Sequence, residues 1–328
     1  MKKNQPTRNL ALELVRVTEA AALAAGRWMG RGNKIEADKA AVDAMRLVLN
    51  TIEMKGRVVI CEGTKDKAPR LFCGEVLGTG EQPEVDIAID PIDGTRPLAC
   101  GLWNCISTVA LAPRDTLFNP GPLVYMDKIA VGPVAKDVID INAPVKDNLT
   151  KIAKAKGEQM EDLTVVILDR PRHDKLISEV RKCGARIRLI PDGDVAGAIM
   201  TGWKESHIDV LMGIGGAPEG VLSAVAMRCM GGNLQGKLFP RNEDDLDKAK
   251  KQGIDINRVL TMDDLVASDD VFIAATGITH GDLLDGVSYY KDGAQTDSLV
   301  MRGLTGTIRH IIADHHLSKL DMISAIQY

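Results

Sequence analysis

The chain has 328 residues and a formal net charge of −4, with 45% hydrophobic, 26% charged and 3% aromatic residues. This apolar content can build a large core, which excludes extensive disorder. The weak negative charge, without a basic run that contains aromatics, excludes nucleic acid as a primary ligand. The first residues are polar and no run of about 18 apolar residues follows, so we expect a cytoplasmic protein with no membrane partner.

Six cysteines are scattered along the chain. They form no Cys-x-x-Cys pair and no cysteine–histidine spacing typical of zinc sites. We therefore expect reduced thiols that act as small apolar fillers of the interior, with no redox or catalytic role. The six residues are Cys61, Cys73, Cys100, Cys105, Cys183 and Cys229.

Two amphipathic helices are predicted at the start of the chain, over 9–30 and 36–54. Apolar residues recur there at helical spacing, with charged residues on the opposite side. Asp38 falls on the apolar stripe of the second helix. Its carboxylate therefore needs a partner in the folded protein.

Beyond these helices, β-prone runs and helical patterns alternate, which predicts a layered α/β architecture. The length favours two domains, over 1–160 and 161–328, with a soft boundary. The predicted strands and further helices are strands over 57–62, 85–90, 105–111, 124–131, 163–168, 187–190, 208–212, 271–276 and 305–313, and helices over 173–182, from 194, from 218 and over 241–252.

Acidic residues stand at the ends of several predicted strands, where open α/β sheets bind their ligands. We expect Pro91 to end the second strand in a turn that aims Asp90 and Asp93 at one point. Each acid alone could instead cap a helix or lie on the surface. Together they suit a hard divalent cation, which takes oxygen ligands and neutralises clustered acids. The predicted ligands are Asp38, Glu62, Asp90, Asp93 and Glu219.

Phosphate chemistry is suggested by the residues around these acids. A divalent ion can activate a bound water as a nucleophile and polarise phosphoryl oxygens. Backbone amides after Gly94, with the Thr95 hydroxyl, could hold a phosphate or orient the attacking water, so Thr95 is a positioning group. Arg170 and Arg172 match phosphate oxygens bidentately and suggest a second phosphate. The alternative is that both arginines pair with surface acids.

Three further features leave alternatives open. The turn over 192–194 carries two acids that could bind sugar hydroxyls or cap the next helix. Tyr125 could line a pocket or pack in the core. The glycine-rich segment over 213–220 raises the alternative of a dinucleotide-dependent oxidoreductase. Its spacing is not G-x-G-x-x-G, and Glu219 would oppose a pyrophosphate.

Six motifs follow one another along the chain: Glu13-Leu-Val-Arg-Val-Thr-Glu19, Ala40-Ala-Val-Asp-Ala-Met-Arg46, Asp90-Pro-Ile-Asp-Gly-Thr95, Arg170-Pro-Arg-His173, Ile190-Pro-Asp-Gly-Asp-Val-Ala196 and Gly213-Ile-Gly-Gly-Ala-Pro-Glu-Gly220. In these motifs the sequence resembles the class II fructose-1,6-bisphosphatases, a bacterial family that includes dual fructose and sedoheptulose bisphosphatases. The resemblance extends over nearly the whole length.

The resemblance implies a layered α/β/α/β/α sandwich of the lithium-sensitive sugar phosphatase type, assembled as a dimer or tetramer. It implies Mn²⁺ or Mg²⁺ and hydrolysis of the 1-phosphate of fructose 1,6-bisphosphate to fructose 6-phosphate and phosphate, in gluconeogenesis. Sedoheptulose 1,7-bisphosphate is a possible second substrate. The alternative is a specialised or catalytically weak paralogue that only binds a sugar phosphate.

The resemblance also assigns roles to individual residues. Asp38 and Glu62 match one metal site, and Asp90, Asp93 and Glu219 match the other. Catalytic roles fall on Asp38, Glu62 and Thr95. Substrate contacts fall on Asp93, Gly94, Thr95, Tyr125, Arg170, Pro171, Arg172, Asp192, Gly193, Asp194 and Gly216. Departures from the family pattern make the Asp38 side more positive, with an open effect on activity: Asn33, Lys39, Thr64, Lys67 and Arg70.

Overall fold

The structure is a computed structural model that describes residues 9–61, 71–323 and 326. Within these residues the chain forms ten α-helices and thirteen β-strands. The helices are α1 Ala11–Gly26, α2 Lys34–Leu49, α3 Thr95–Cys100, α4 Val145–Lys156, α5 Asp174–Cys183, α6 Asp194–Met200, α7 Ala217–Met230, α8 Glu243–Lys251, α9 Met262–Leu265 and α10 Leu317–Ile323. The strands are β1 Lys55–Ile60, β2 Val76–Leu77, β3 Glu84–Asp93, β4 Ile106–Pro113, β5 Tyr125–Val131, β6 Thr164–Leu168, β7 Arg186–Ile190, β8 Val210–Gly216, β9 Asn233–Leu238, β10 Phe272–Gly277, β11 Ser288–Tyr290, β12 Gly293–Arg302 and β13 Thr307–His316.

The strands build two sheets that are stacked with helices in five layers. The first sheet has the order β11-β12-β10-β4-β3-β1-β2, with β13 paired to β12, and the second has the order β7-β6-β8-β5-β9. Helices α1 and α2 cover the outer face of the first sheet, and α4 and α5 cover that of the second. Helices α6 and α7 lie between the sheets. The predicted α/β/α/β/α sandwich is thereby confirmed.

The chain passes from one sheet to the other and back again. Strand β5 belongs to the second sheet, whereas β10 to β13 return to the first. The proposed domains over 1–160 and 161–328 stay a prediction, and neither sheet is confined to one side of that boundary. No helix in the described part of the chain is long and apolar enough to span a membrane.

Helix α2 begins at Asn33, whose side chain accepts a hydrogen bond from the Glu36 amide at 3.2 Å. This contact is the N-cap that asparagine favours. One departure from the family pattern therefore has a local structural role. Lys39 lies exposed on the same helix.

Strand β3 differs from its prediction, because it continues through Pro91 to Asp93. Its pairing with β4 shifts register between Asp90 and Asp93. Pro91 lies in this irregularity, where its missing N–H removes no hydrogen bond from the ladder. The expected end at Pro91 is wrong. The chain turns instead at Gly94, which has a φ of 103°, a value that favours glycine.

Strand β8 is also longer than the predicted run over 208–212, since it extends to Gly216 and α7 follows at once. The glycines of this stretch make room for carboxylates. A Cβ atom at Gly215 would lie 1.9 Å from Asp194 Oδ2, and one at Gly216 would lie 1.7 Å from Glu219 Oε2. Side chains larger than hydrogen would therefore displace both acids.

The structure corrects the expectation that all six thiols are reduced. Cys61 and Cys73 form a disulfide, with their Cα atoms 5.8 Å apart. The other four cysteines are free. Cys61 follows the end of β1, and Cys73 lies in the segment before β2. The fold brings these two cysteines together, although their spacing matches neither a Cys-x-x-Cys motif nor a zinc site.

We expect reduction of this disulfide to lower the free energy of unfolding by about 2–3 kcal/mol, because opening a short loop returns entropy to the unfolded chain. Urea unfolding with and without a thiol reductant measures the difference. The double variant Cys61→Ser/Cys73→Ser is the control and should not respond to reductant. Six titratable thiols in the denatured, unreduced protein would contradict the prediction.

Glu19 on α1 supplies a second stability prediction, on the dependence on pH. Its carboxylate accepts a hydrogen bond from Thr296 Oγ1 at 3.4 Å, yet burial raises the pKa of Glu19 from 4.5 to about 7. Between these two values the folded protein holds a proton that the unfolded chain releases. The contribution of Glu19 to stability therefore falls as pH rises through this window.

The variant Glu19→Gln resembles the protonated acid at every pH. We expect it to be more stable than the wild type at about pH 8 and equally stable at about pH 4. Urea midpoints at several pH values provide the measurement. A difference that stays constant with pH would show that ionisation of Glu19 is not its cause.

Candidate active site

A cavity of about 500 Å³ opens between the two sheets, where β3, β6 and β8 end. Most of the residues predicted to act together line it. These residues are Asp93, Gly94, Thr95, Tyr125, Arg170, Arg172, Asp192, Gly193, Asp194, Gly216 and Glu219. Strands from both sheets contribute, so the cavity exists only when the layers are stacked.

Three predicted site residues in the described part of the chain, Asp38, Asp90 and Pro171, are not among those that line the cavity. Asp38 is half-buried on α2, and burial raises the pKa of its carboxyl. Asp90 is buried on β3, where its Oδ1 accepts a hydrogen bond from the Ile92 amide at 3.1 Å. Pro171 begins a short 3-10 helix between the two arginines. Glu62 lies outside the described residues, as do Thr64, Lys67 and Arg70.

A larger cavity of about 690 Å³ lies elsewhere, beside the starts of β6, β7 and β8. Its charged residues include Lys156 and Asp209, which form an ion pair with each other. None of the predicted site residues that the structure describes lines it. The smaller cavity is therefore the candidate active site, because predicted acidic and basic site residues line it.

The Asp93–Thr95 segment is tied directly to helix α6. Asp93 Oδ2 accepts a hydrogen bond from the Val195 amide at 3.2 Å. Thr95 begins α3 and its hydroxyl donates to the Ile92 carbonyl at 3.3 Å. Gly193, with a φ of 87°, provides the turn before α6. The end of β3 and the start of α6 are thus held as one unit.

The two arginines also line the cavity. Arg170 Nη2 donates to Asp192 Oδ1 at 2.6 Å, and Asp192 lines the same cavity. Arg172 donates to the Ile214 carbonyl from Nε at 3.0 Å and from Nη2 at 2.8 Å. Its guanidinium also lies 5.1 Å from the centre of the Tyr125 ring. Both guanidiniums still line the cavity.

Glu219 is a buried acid of the cavity wall. Its Oε2 atom is buried and has no hydrogen-bond partner among the described residues. Burial, and next the charge of Asp194, raise the pKa of Glu219 to about 7, while the charge of Lys128 opposes this rise. A buried carboxylate oxygen without a partner is costly. A cation at this position would satisfy it.

The cavity also contains cations that sequence reasoning missed. Lys34 and Arg96 line it, and their charges oppose the rise in pKa that burial causes at Asp192. Lys34 follows Asn33, the N-cap of α2, and Arg96 follows Thr95. Their positions beside these residues are the sequence signal that could have identified them as part of the site. Lys128 is a third cation, and it contacts Asp194 of the cavity wall. It lies on strand β5, and only the tertiary structure shows which side chains of that strand point inward.

His173 follows Arg172 in the sequence. It is buried, and its ring bridges two strands, with Nδ1 2.7 Å from the Leu168 carbonyl oxygen and Nε2 accepting a hydrogen bond from the Ile214 amide at 2.8 Å. Burial lowers the pKa of His173. The neutral ring therefore supports the segment that Arg172 also contacts.

No three histidine, cysteine, aspartate or glutamate side chains of the described residues lie close enough together to hold a metal ion. The donors themselves suit an oxygen-ligated divalent cation, because Asp93 and Glu219 are carboxylates in one cavity and Glu219 Oε2 is buried without a partner. By this chemistry the residues fit such an ion.

The sequence was compared with known proteins. Residues 8–315 match the family described as bacterial fructose-1,6-bisphosphatase, glpX-encoded. The fructose-1,6-bisphosphatase 1 class 2 of Escherichia coli strain K12 is 46% identical over 96% of this chain and 97% of its own length. The fructose-1,6-bisphosphatase class 2 of Shigella flexneri matches to the same extent.

Among solved structures, the extragenic suppressor protein SuhB from Bartonella henselae aligns with a TM-score of 0.35 and 13% identity, over 60% of this chain and 74% of that one. This likeness is too low to carry an argument. The family match and the 46% identity suffice, and they confirm the resemblance carried by the six motifs. The chain belongs to the glpX-encoded bacterial fructose-1,6-bisphosphatase family.

Proposed function

We propose that this protein is a metal-dependent phosphatase that hydrolyses the 1-phosphate of fructose 1,6-bisphosphate to fructose 6-phosphate and phosphate. The observation that carries the proposal is that one cavity is lined by Asp93, Thr95 and Glu219 together with Arg170 and Arg172. The names of the relatives support it. The acids would serve hydrolysis at one end of the cavity, and the arginines would bind a second phosphate at the other.

The arginine end would bind the phosphate that is retained. Guanidinium groups donate two parallel hydrogen bonds to phosphate oxygens. Arg172 is held over Tyr125 and by the Ile214 carbonyl, so its direction is set before substrate arrives. Asp192 and Asp194 line the same cavity and would accept hydrogen bonds from sugar hydroxyls.

The acidic end would carry the reaction. Asp93, Asp90 and Glu219 would hold one divalent cation, and Asp38 and Glu62 a second. Such cations supply charge neutralisation and an activated water when bound. Thr95 would orient the attacking water through its hydroxyl, and the amides at the start of α3 would hold the scissile phosphate. Mn²⁺ and Mg²⁺ are the expected ions, since all five ligands are carboxylates.

Phosphate release in the presence of Mn²⁺ or Mg²⁺ tests the proposal. Fructose 1,6-bisphosphate, sedoheptulose 1,7-bisphosphate and an inositol monophosphate are compared at equal concentrations. We expect the fructose ester to react fastest and the inositol ester slowest, because only bisphosphates occupy both ends of the cavity. Binding of fructose 1,6-bisphosphate without turnover would instead favour a binding paralogue. If none of the three esters releases phosphate, the proposed phosphatase activity is refuted.

Two further parts of the proposal depend on the family pattern alone. We expect a cytoplasmic protein that forms a dimer or tetramer. Light scattering on the purified chain measures its mass against that of the 35.4 kDa monomer. A monomer at assay concentration would contradict the oligomer.

A further inference from the structure

Lys128 is an unusual residue for the interior of a sheet. It lies on β5 between Gly213 of β8 and Gly236 of β9, and its side chain is 1% exposed. Its neighbours on the same face, Met126 and Ala130, are fully buried in the core between the two sheets. Burial of an ammonium group costs several kcal/mol unless partners compensate for the lost water.

The partners of Lys128 are the starts of two helices. Its Nζ lies 2.7 Å from Oδ2 of Asp194, which is the first residue of α6. The same Nζ donates a hydrogen bond at 2.9 Å to the carbonyl of Gly216, which immediately precedes α7. Both helices begin at the cavity wall. One ammonium group therefore joins the two helix starts.

The backbone around Lys128 is shaped to admit this side chain. A Cβ atom at Gly215 would lie 3.1 Å from Lys128 Cε, and one at Gly220 would lie 3.8 Å from Nζ and 2.8 Å from Met126 Sδ. Two glycines on different elements thus leave the space that Lys128 and Met126 fill. The arrangement involves β5, β8 and α7 together.

The two helix starts carry the groups that the proposed function needs. Glu219 lies in the first turn of α7, and the Lys128 charge stabilises its carboxylate. At α6 the Val195 amide donates to Asp93, next to the Asp194 carboxylate that Lys128 contacts. Lys128 is not itself among the residues that line the cavity. Any effect on the reaction must therefore pass through its partners.

We infer that Lys128 is a positioning residue of this site: its ammonium group holds the starts of α6 and α7 so that Asp194 and Glu219 face the same cavity. The inference rests on the proposed function, because Glu219 matters only if the acids bind a cation. Removal of a residue that orients metal ligands typically lowers metal affinity or activity 10- to 100-fold. We expect a loss of about this size when Lys128 is replaced.

The test is Lys128→Met, which keeps an unbranched side chain and removes the charge. We expect Mn²⁺ to bind the metal-free variant at least about tenfold more weakly in calorimetry. The kcat for fructose 1,6-bisphosphate should fall by a similar factor. Its KM should change by a smaller factor than kcat, because Arg170 and Arg172 are untouched. A purely structural role would lower the melting temperature and leave Mn²⁺ affinity unchanged in the folded protein.

Lys156→Met is the matched control. Lys156 is partly buried and pairs with the buried Asp209, far from the site. We expect it to keep wild-type Mn²⁺ affinity and kcat. If Lys128→Met does not fold, Lys128→Gln, which retains an amide donor, replaces it with the same expected direction.

Mn²⁺ affinity and kcat within about twofold of wild type in folded Lys128→Met or Lys128→Gln would overturn the inference, as would equal losses in Lys156→Met. Failure of the proposed function looks different. In that case the wild type itself neither binds Mn²⁺ nor releases phosphate, and the inference about Lys128 falls with it.

Discussion

Replacement of Glu219 by glutamine is expected to lower kcat/KM for fructose 1,6-bisphosphate about 100- to 1,000-fold and to weaken Mn²⁺ binding. A divalent cation stabilises transition-state charge by several kcal/mol, and a lost carboxylate ligand removes part of that stabilisation. Glu219 Oε2 is buried and has no hydrogen-bond partner among the described residues, so a cation is the partner it lacks. Phosphate release and calorimetry with Mn²⁺ provide the two measurements.

The matched control for this variant is Glu19→Gln. Glu19 is also a glutamate whose pKa burial raises to about 7, but it lies on α1 and contacts Thr296 of β12. We expect the control to keep both the activity and the Mn²⁺ affinity of the wild type. If Glu219→Gln retained a Mn²⁺-dependent rate within about fivefold of wild type, Glu219 would not be a metal ligand.

The second large effect is expected for Arg172→Met, with a loss that depends on the substrate. A hydrogen bond between charged groups contributes about 1.5–3 kcal/mol, which corresponds to roughly a 10- to 100-fold decrease in kcat/KM for fructose 1,6-bisphosphate. p-Nitrophenyl phosphate has only one phosphate and should lose less than about threefold. Steady-state kinetics on both esters measures the difference.

Arg188→Met is the control for Arg172. Arg188 lies on β7 and pairs with Asp282, and it is not among the residues that line the cavity. Arg188→Met should leave kcat/KM unchanged for both fructose 1,6-bisphosphate and p-nitrophenyl phosphate. Equal losses on both esters in Arg172→Met would mean that Arg172 supports Ile214 and the site as a whole, and does not recognise a second phosphate.

Apolar patterns identified the elements whose buried residues are mostly apolar, such as α1 and β10. Strand β12 escaped prediction because polar residues occupy its buried positions. Ser298 is fully buried there and shares a hydrogen bond of 2.8 Å with Thr276, which also donates to Thr18 at 2.7 Å. These hydroxyls become compatible with burial only when α1, β10 and β12 meet. A pattern of residue types along one strand cannot show that.

Much of the cavity wall was predictable because strand-end acids, glycines and paired arginines are local features of the sequence. The prediction about Pro91 failed, since a bulge in the pairing with β4 lets β3 pass through it. The disulfide between Cys61 and Cys73 also escaped, since cysteines twelve residues apart match no local motif. Both depend on which segments become neighbours.

The sequence by itself determined the class of chemistry, because carboxylates and guanidiniums in six ordered motifs restrict which ligands the chain can bind. It also determined the layered α/β architecture, through alternating patterns of strand and helix. Only the tertiary structure decided that Lys128 points inward and joins the starts of α6 and α7. In the sequence Asp127 and Lys128 are equivalent neighbours, and the side chain that is buried depends on which face of β5 packs against α7. The cost of burying that charge is offset by partners that lie 66 and 88 residues away in the sequence. These partners are close to Lys128 only in the folded chain.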